Sequence, residues 1–114
     1  MKQASILSNL TYLDIKPKVE LLLDTEFSKE LRIIFKSGQS LQEHKAPFPI
    51  IIEVLEGNID FGVEGKIHHL DRGDILTIGS NVLHDLLATE NSIVRLSLSK
   101  GDHVSRVKGV GEKK

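Results

Sequence analysis

The sequence contains no cysteine. Disulfides and thiolate metal sites are thereby excluded, and the redox compartment is left unmarked. Long apolar runs are missing as well: no stretch approaches the roughly 20 apolar residues that span a bilayer. Met1 to Leu10 holds no sustained apolar run of the kind a signal peptide needs, so a cytoplasmic protein without membrane contact is expected. Charge of one sign is scarce too. Fifteen Lys and Arg stand against 16 Asp and Glu, a formal net charge of −1. A surface that holds nucleic acid needs a concentrated basic field, so nucleic acid is not an expected partner. No internal repeat and no long amphipathic helix is evident.

What remains is one domain of ordinary composition. A chain of 114 residues, 39% hydrophobic and 27% charged, suits a single core. Glycine and proline punctuate it at Gly38, Pro47, Pro49, Gly57, Gly62, Gly65, Gly73, Gly79 and Gly101. Between them lie short segments rich in Ile, Val, Leu and Phe, the pattern of an antiparallel sandwich or barrel. Leu31, Ile33 and Phe35 alternate in one segment, and Ile59, Phe61 and Val63 in another. Near the end, Val94, Leu96 and Leu98 alternate against Ile93, Arg95 and Ser97. Period-2 spacing gives each strand one buried face. Ser28 to Ile34 has the start of a helical pattern, but the β-branched pair Ile33-Ile34 favours a strand. Leu10 to Leu23 reads as edge strand interrupted at Pro17, because proline cannot donate to a ladder. Glu56-Gly57-Asn58, Glu64-Gly65 and Asp71-Arg72-Gly73-Asp74 read as turns.

Five histidines are present: His44, His68, His69, His84 and His103. His44 precedes the apolar run Ile50 to Leu55, and His84 leads into Leu86-Leu87-Ala88. Histidines on separate strands of a small barrel can converge inside it. The neighbours of these two carry a family resemblance. From Gly38 to about Leu98 the chain resembles the cupins, small β-barrels that often hold one metal ion. The family's first motif spaces a glycine, two histidines, a glutamate and a closing glycine. Those positions fall here at Gly38, His44, Ala46, Ile50 and Gly57, with the ending Val54-Leu55-Glu56-Gly57 in good agreement. The second motif spaces a glycine, a proline, a glycine and a histidine, which fall at Gly73, Gly79, Asn81 and His84.

The resemblance implies an all-β fold, a single antiparallel β-barrel or jelly roll, over residues 1–99 with its motif region at 38–88. Residues 100–114 are polar, glycine-spaced and basic, and are expected to form a flexible tail that makes His103 incidental. The family's site holds a divalent metal with three imidazoles and a carboxylate. This chain keeps His44 and His84 and has a methyl and a branched alkyl group at the other two positions. At most a weakly bound divalent ion is then expected, held by those two histidines. Gln42 shares the side of His44 by period-2 spacing, and Tyr12 is placed to reach in from an edge strand. Neither supplies a carboxylate. Glu43 and Glu53 point to the faces opposite His44 and Ile50. His68-His69 reads as a solvated strand pair, and Asp74 as a turn residue that accepts local N–H bonds. Arg95 suits an anion if it faces inward, although the outer face is the commoner place for such an arginine.

Three functions compete. The first is a small-molecule binder whose apolar pocket is lined by Phe35, Ile50, Ile52, Val54 and Leu86 and anchored by His44 and His84. The second is an enzyme of dioxygenase, isomerase or epimerase type, with or without metal, using His44 or His84 as base. The third is a structural barrel acting through dimerisation, with Ile51 and Leu55 against a partner subunit; the resemblance implies a homodimer in any case.

Overall fold

The computed structural model describes residues 1–111. Nine strands precede one short helix: β1 (Lys18–Asp24), β2 (Ser28–Phe35), β3 (Ser40–His44), β4 (Ile50–Glu56), β5 (Asn58–Val63), β6 (Lys66–Asp71), β7 (Ile75–Ile78), β8 (His84–Ala88), β9 (Ser92–Ser99) and α1 (Val104–Val110). No described helix is long and apolar enough to cross a membrane.

The pairing is nested around one hairpin. Glu64 and Gly65 both take positive φ, 52° and 75°, the combination a two-residue turn needs to match strand twist. That turn joins β5 to β6. Outward from it, β4 pairs with β7, β3 with β8, and β2 with β9, all antiparallel. The folded ribbon then closes on itself through β4–β9 and β5–β8. Two sheets result, β1-β2-β9-β4-β7 and β3-β8-β5-β6. This is the expected all-β jelly roll, with one refinement: the two sheets stay separate, so the barrel is not closed by hydrogen bonds.

Alternation decides what each sheet buries. Leu31, Ile33 and Phe35 of β2 join Val94, Leu96 and Leu98 of β9 and Ile50, Ile52 and Val54 of β4 on one inner face. Leu41, Ile59, Phe61, Leu86 and Ala88 supply the other. The expected strand at residues 28–34 forms, and β1 begins immediately after Pro17 at the sheet edge, where the missing N–H costs no ladder bond. Gly57 sits at φ +86°, and a Cβ there would lie 2.2 Å from the Ser92 Oγ and 2.3 Å from the Asn91 carbonyl oxygen. Both the dihedral and the space demand glycine at the end of the first motif.

Residues 100–111 differ from the expected flexible tail. Val104, Val107 and Val110 recur at helical spacing, and α1 packs them against the core, Val107 with no exposed surface. Glycines at 101, 109 and 111 and the single lysine between them, Lys108, hid a helix too short to show a full periodic stripe. The remainder of the expected tail, 112–114, lies outside the described residues.

Candidate functional site

Nested pairing places His44 of β3 directly opposite His84 of β8. Their ring centroids are 4.2 Å apart with the planes tilted by 57°, and Phe61 stacks on the far side of His84 at 5.7 Å. A register shift between Leu41 and His44 makes this possible. Without it, residues three apart on one strand would point to opposite faces; with it, Leu41 and His44 both face the interior. The same irregularity turns Gln42 outward, where its side chain is exposed and lines a different, external groove. Gln42 contributes only its backbone.

That backbone matters. The His44 Nδ1–H donates to the Gln42 carbonyl at 2.6 Å, and the His84 Nδ1–H donates to the Val82 carbonyl at 2.9 Å. A carbonyl only accepts, so the proton of each neutral ring is fixed on Nδ1 and Nε2 carries a free lone pair. Burial is the main force on both rings. It pulls His44 down to about 4, against the Gln42 hydrogen bond, helped by the neighbouring His84 ring and the charge of Arg106. It lowers His84 in the same way. Both rings are neutral at pH 7.

His84 is held by a loop whose geometry replaces the second motif's glycine. Asn81 takes φ 62°, a left-handed conformation that asparagine tolerates better than other side-chain-bearing residues. Its N–H donates to the Ala46 carbonyl at 2.7 Å, tying the loop before His84 to the strand connection after His44.

The two histidines line a cavity of about 10 Å³ together with Leu41, Ile50, Ile52, Leu86 and others, and with Arg106 from α1. That volume takes one water-sized group. Of the expected lining, Ile50, Ile52 and Leu86 are therefore in place. Phe35 and Val54 are fully buried core residues that do not line it, because the strands' side chains fill the rest of the interior. Where the sequence suggested an apolar pocket, the space beside the histidines is small, and most of its lining is apolar.

Arg106 and Asp102 are the functional candidates that sequence reasoning missed. Arg106 Nε and Nη2 donate to the two Asp102 oxygens at 2.8 and 2.7 Å. Asp102 is 1% exposed and also accepts the His103 N–H. Burial alone would raise its carboxyl; the Arg106 fork and the His103 N–H outweigh that and hold it below the usual carboxylate range. The signal was present as an acid and a base four residues apart, flanked by valines at helical spacing.

Other expected candidates lie elsewhere. Tyr12 precedes β1 and does not line the cavity. Glu43 lines a surface groove with Gly62 and Asp85. Glu53 and Glu30 bind Arg95 at 2.9 and 2.8 Å, so Arg95 lies on the outer face and does not serve the interior. His68 and His69 are exposed, His69 against Asp60 at 2.6 Å, in keeping with a solvated pair. Asp74 accepts the Asp71 N–H at 2.7 Å, the turn role its position suggests. His103 is exposed at the start of α1.

The donor set does not fit a tightly held metal ion. Ala46 and Ile50 are 2% and 3% exposed within the apolar cluster, so two of the four ligand positions present only alkyl groups to the interior. No group of three or more His, Cys, Asp or Glu that could hold a metal occurs among the described residues. Arg106 brings a fixed positive charge to the same cavity. Two imidazoles beside a guanidinium are a poor cage for a divalent cation.

No protein-family model matches the chain, and no curated protein matches it either. Solved structures do. An RmlC-like cupin protein from Desulfovibrio desulfuricans is 26% identical, with a TM-score of 0.78 over 88% of this chain and 97% of that one. A cupin 2 conserved barrel domain protein from Leptotrichia buccalis is 28% identical, with a TM-score of 0.71 over 80% of this chain and 44% of that one. A conserved protein with a double-stranded β-helix domain from Klebsiella pneumoniae is 21% identical, with a TM-score of 0.76 over 85% and 88%.

Proposed function

We propose that this chain, which shares the small cupin fold of its structural neighbours, binds a small polar molecule at the place where that fold often holds a metal, without metal chemistry. The observation that carries this reading is the facing pair His44 and His84. Each is locked as the Nδ1–H tautomer by a backbone carbonyl, and among the described residues neither Nε2 has a hydrogen-bond partner. Two fixed acceptors 4.2 Å apart between rings, at the edge of an apolar interior, orient a ligand that offers donors. Burial of an apolar body contributes less, since the interior beyond Ile50 and Leu86 is filled.

The enzymatic alternative draws less support. Among the described residues no carboxylate hydrogen-bonds to either imidazole, and a ring pulled down to about 4 is a weak base at neutral pH. Pairing of two copies remains a proposal of the outer sheet, where Ile51 and Ile75 are 40% and 60% exposed on the same face as Leu55. Analytical ultracentrifugation of wild type against Ile51→Glu tests it, a shift to monomer being the expected result.

The binding reading is tested by imidazole NMR, which observes the His44 and His84 ring carbons and nitrogens directly. A panel of small diols, hydroxy acids and amides is expected to contain compounds that shift both ring systems at pH 7 and lose that effect in His44→Phe. A stoichiometric metal that survives dialysis and departs in His44→Ala would overturn it.

A further inference from the structure

Among the described residues Arg106 is the one cation that lines the cavity, and its fork is only partly used. Nε and Nη2 are taken up by Asp102. Nη1 is buried and has no hydrogen-bond partner among the described residues. A buried guanidinium nitrogen with two unspent N–H groups is costly and calls for an acceptor. Apart from the two imidazoles, every lining group is alkyl, and Nη1 bonds to neither ring. The polar end of the cavity therefore holds two acceptors from the barrel and a two-proton cationic donor from α1.

We propose that the site takes a compact hydroxy-carboxylate, its hydroxyl donating to the Nε2 of one of the two facing imidazoles, His44 or His84, and its carboxylate accepting from Arg106. The assignment rests on the ligand-binding reading above and names the ligand class for that site. An arginine pre-oriented by a carboxylate suits a planar anion better than a lysine would, since its remaining nitrogen already points in a fixed direction. The Asp102 pair does not cancel this role. It neutralises the net charge of the helix start while leaving Nη1 uncovered.

The cavity takes one water-sized group, which is the size of the ligand's hydroxyl, so the hydroxyl enters beside the imidazoles while the carboxylate stays at the Arg106 side.

Three probes separate the parts: glycolate carries hydroxyl and carboxylate, acetate only the carboxylate, ethylene glycol only hydroxyls. Each is titrated into the full chain at pH 7 while the His44 and His84 ring signals and the α1 amides are followed. Glycolate is expected to shift both rings and to bind roughly tenfold or more tightly than either partial probe. Arg106→Lys keeps a cation four residues from Asp102 but has no second nitrogen to offer, and is expected to weaken glycolate by roughly tenfold. If that variant fails to fold, the neutral pair Asp102→Asn with Arg106→Gln is read in its place. Equal binding of ethylene glycol and glycolate, or unchanged glycolate affinity in the Arg106 variant, overturns the anion assignment and leaves the binding reading standing. Equal binding of acetate and glycolate overturns the hydroxyl. If none of the three moves either ring, the binding reading falls and takes this proposal with it.

Discussion

Both ends of the described chain cover the barrel, and each is fastened by an arginine, Arg32 fully buried and Arg106 partly so, yet the two are used differently. Arg32 on the outer face of β2 is 3% exposed. Its Nη1 donates to the carbonyls of Ile6 and Ser8 at 3.1 and 2.6 Å, and its Nη2 to both Glu20 oxygens at 3.0 Å. Only Nε lacks a partner. Arg106 reverses the pattern: Nε and Nη2 are satisfied and the whole of Nη1 is left over. Arg32 is spent on holding the N-terminal segment across the sheet. Arg106 is held by Asp102 so that one nitrogen stays available. The two arginines differ in what they leave unspent: Nε in Arg32, and the whole of Nη1 in Arg106.

Breaking the outer fastening should have the largest effect. Arg32→Met leaves Glu20 facing the sheet alone and frees the segment around Ile6, and is expected to cost about 3 kcal/mol in urea unfolding while leaving the His44 and His84 ring signals in place. Val107→Ala removes two buried carbons beneath α1 and should cost about 2 kcal/mol by the same measurement. A value near zero there would show that the C-terminal cover contributes nothing to the fold. The pH dependence comes next. His44 accepts a proton at about 4 in the fold and near 6.5 in the unfolded chain. The unfolded state therefore binds more protons between those values, and stability must fall as pH drops from 6.5 to 4. His84 acts in the same direction. Denaturant midpoints of wild type should drop over that window, and those of His44→Gln should drop less. Arg106→Lys should have the smallest effect on stability, about 1 kcal/mol or less, because the replacement still pairs with Asp102. Its large effect belongs to ligand binding, and that split between stability and affinity sharpens the contrast with Arg32.

The sequence made much of this legible through turns and spacing. Gly57, Glu64-Gly65 and the Asp71–Asp74 turn each state a backbone requirement locally, so the breaks between strands were readable there, while the sheet order came only from the pairing. His44 and His84 were readable because each falls on a histidine position of one of the two motifs. What escaped was set by tertiary packing. The register shift after Leu41 is a pairing property, invisible to period-2 counting, and it is what sends Gln42 outward. Phe35 and Val54 were assigned to a pocket because alternation tells inside from outside but not filled from hollow. The helix α1 is only seven residues long, and its valines gained meaning only once the barrel mouth was there to receive them.

The nested ribbon has a consequence in time. The β5–β6 hairpin closes a two-residue loop, whereas each pairing outside it must close a longer one, and β2 with β9 the longest. Loop-closure entropy delays contacts between residues distant in sequence. Pulse-labelled amide exchange during refolding is expected to protect β5 and β6 first and β2 and β9 last. The meeting of His44 with His84 belongs to an intermediate rung, and the arrival of Arg106 must wait for the mouth it covers. The binding site is thus assembled from the inside of the ribbon outward, and a truncated or stalled chain would own both histidines without yet owning a site.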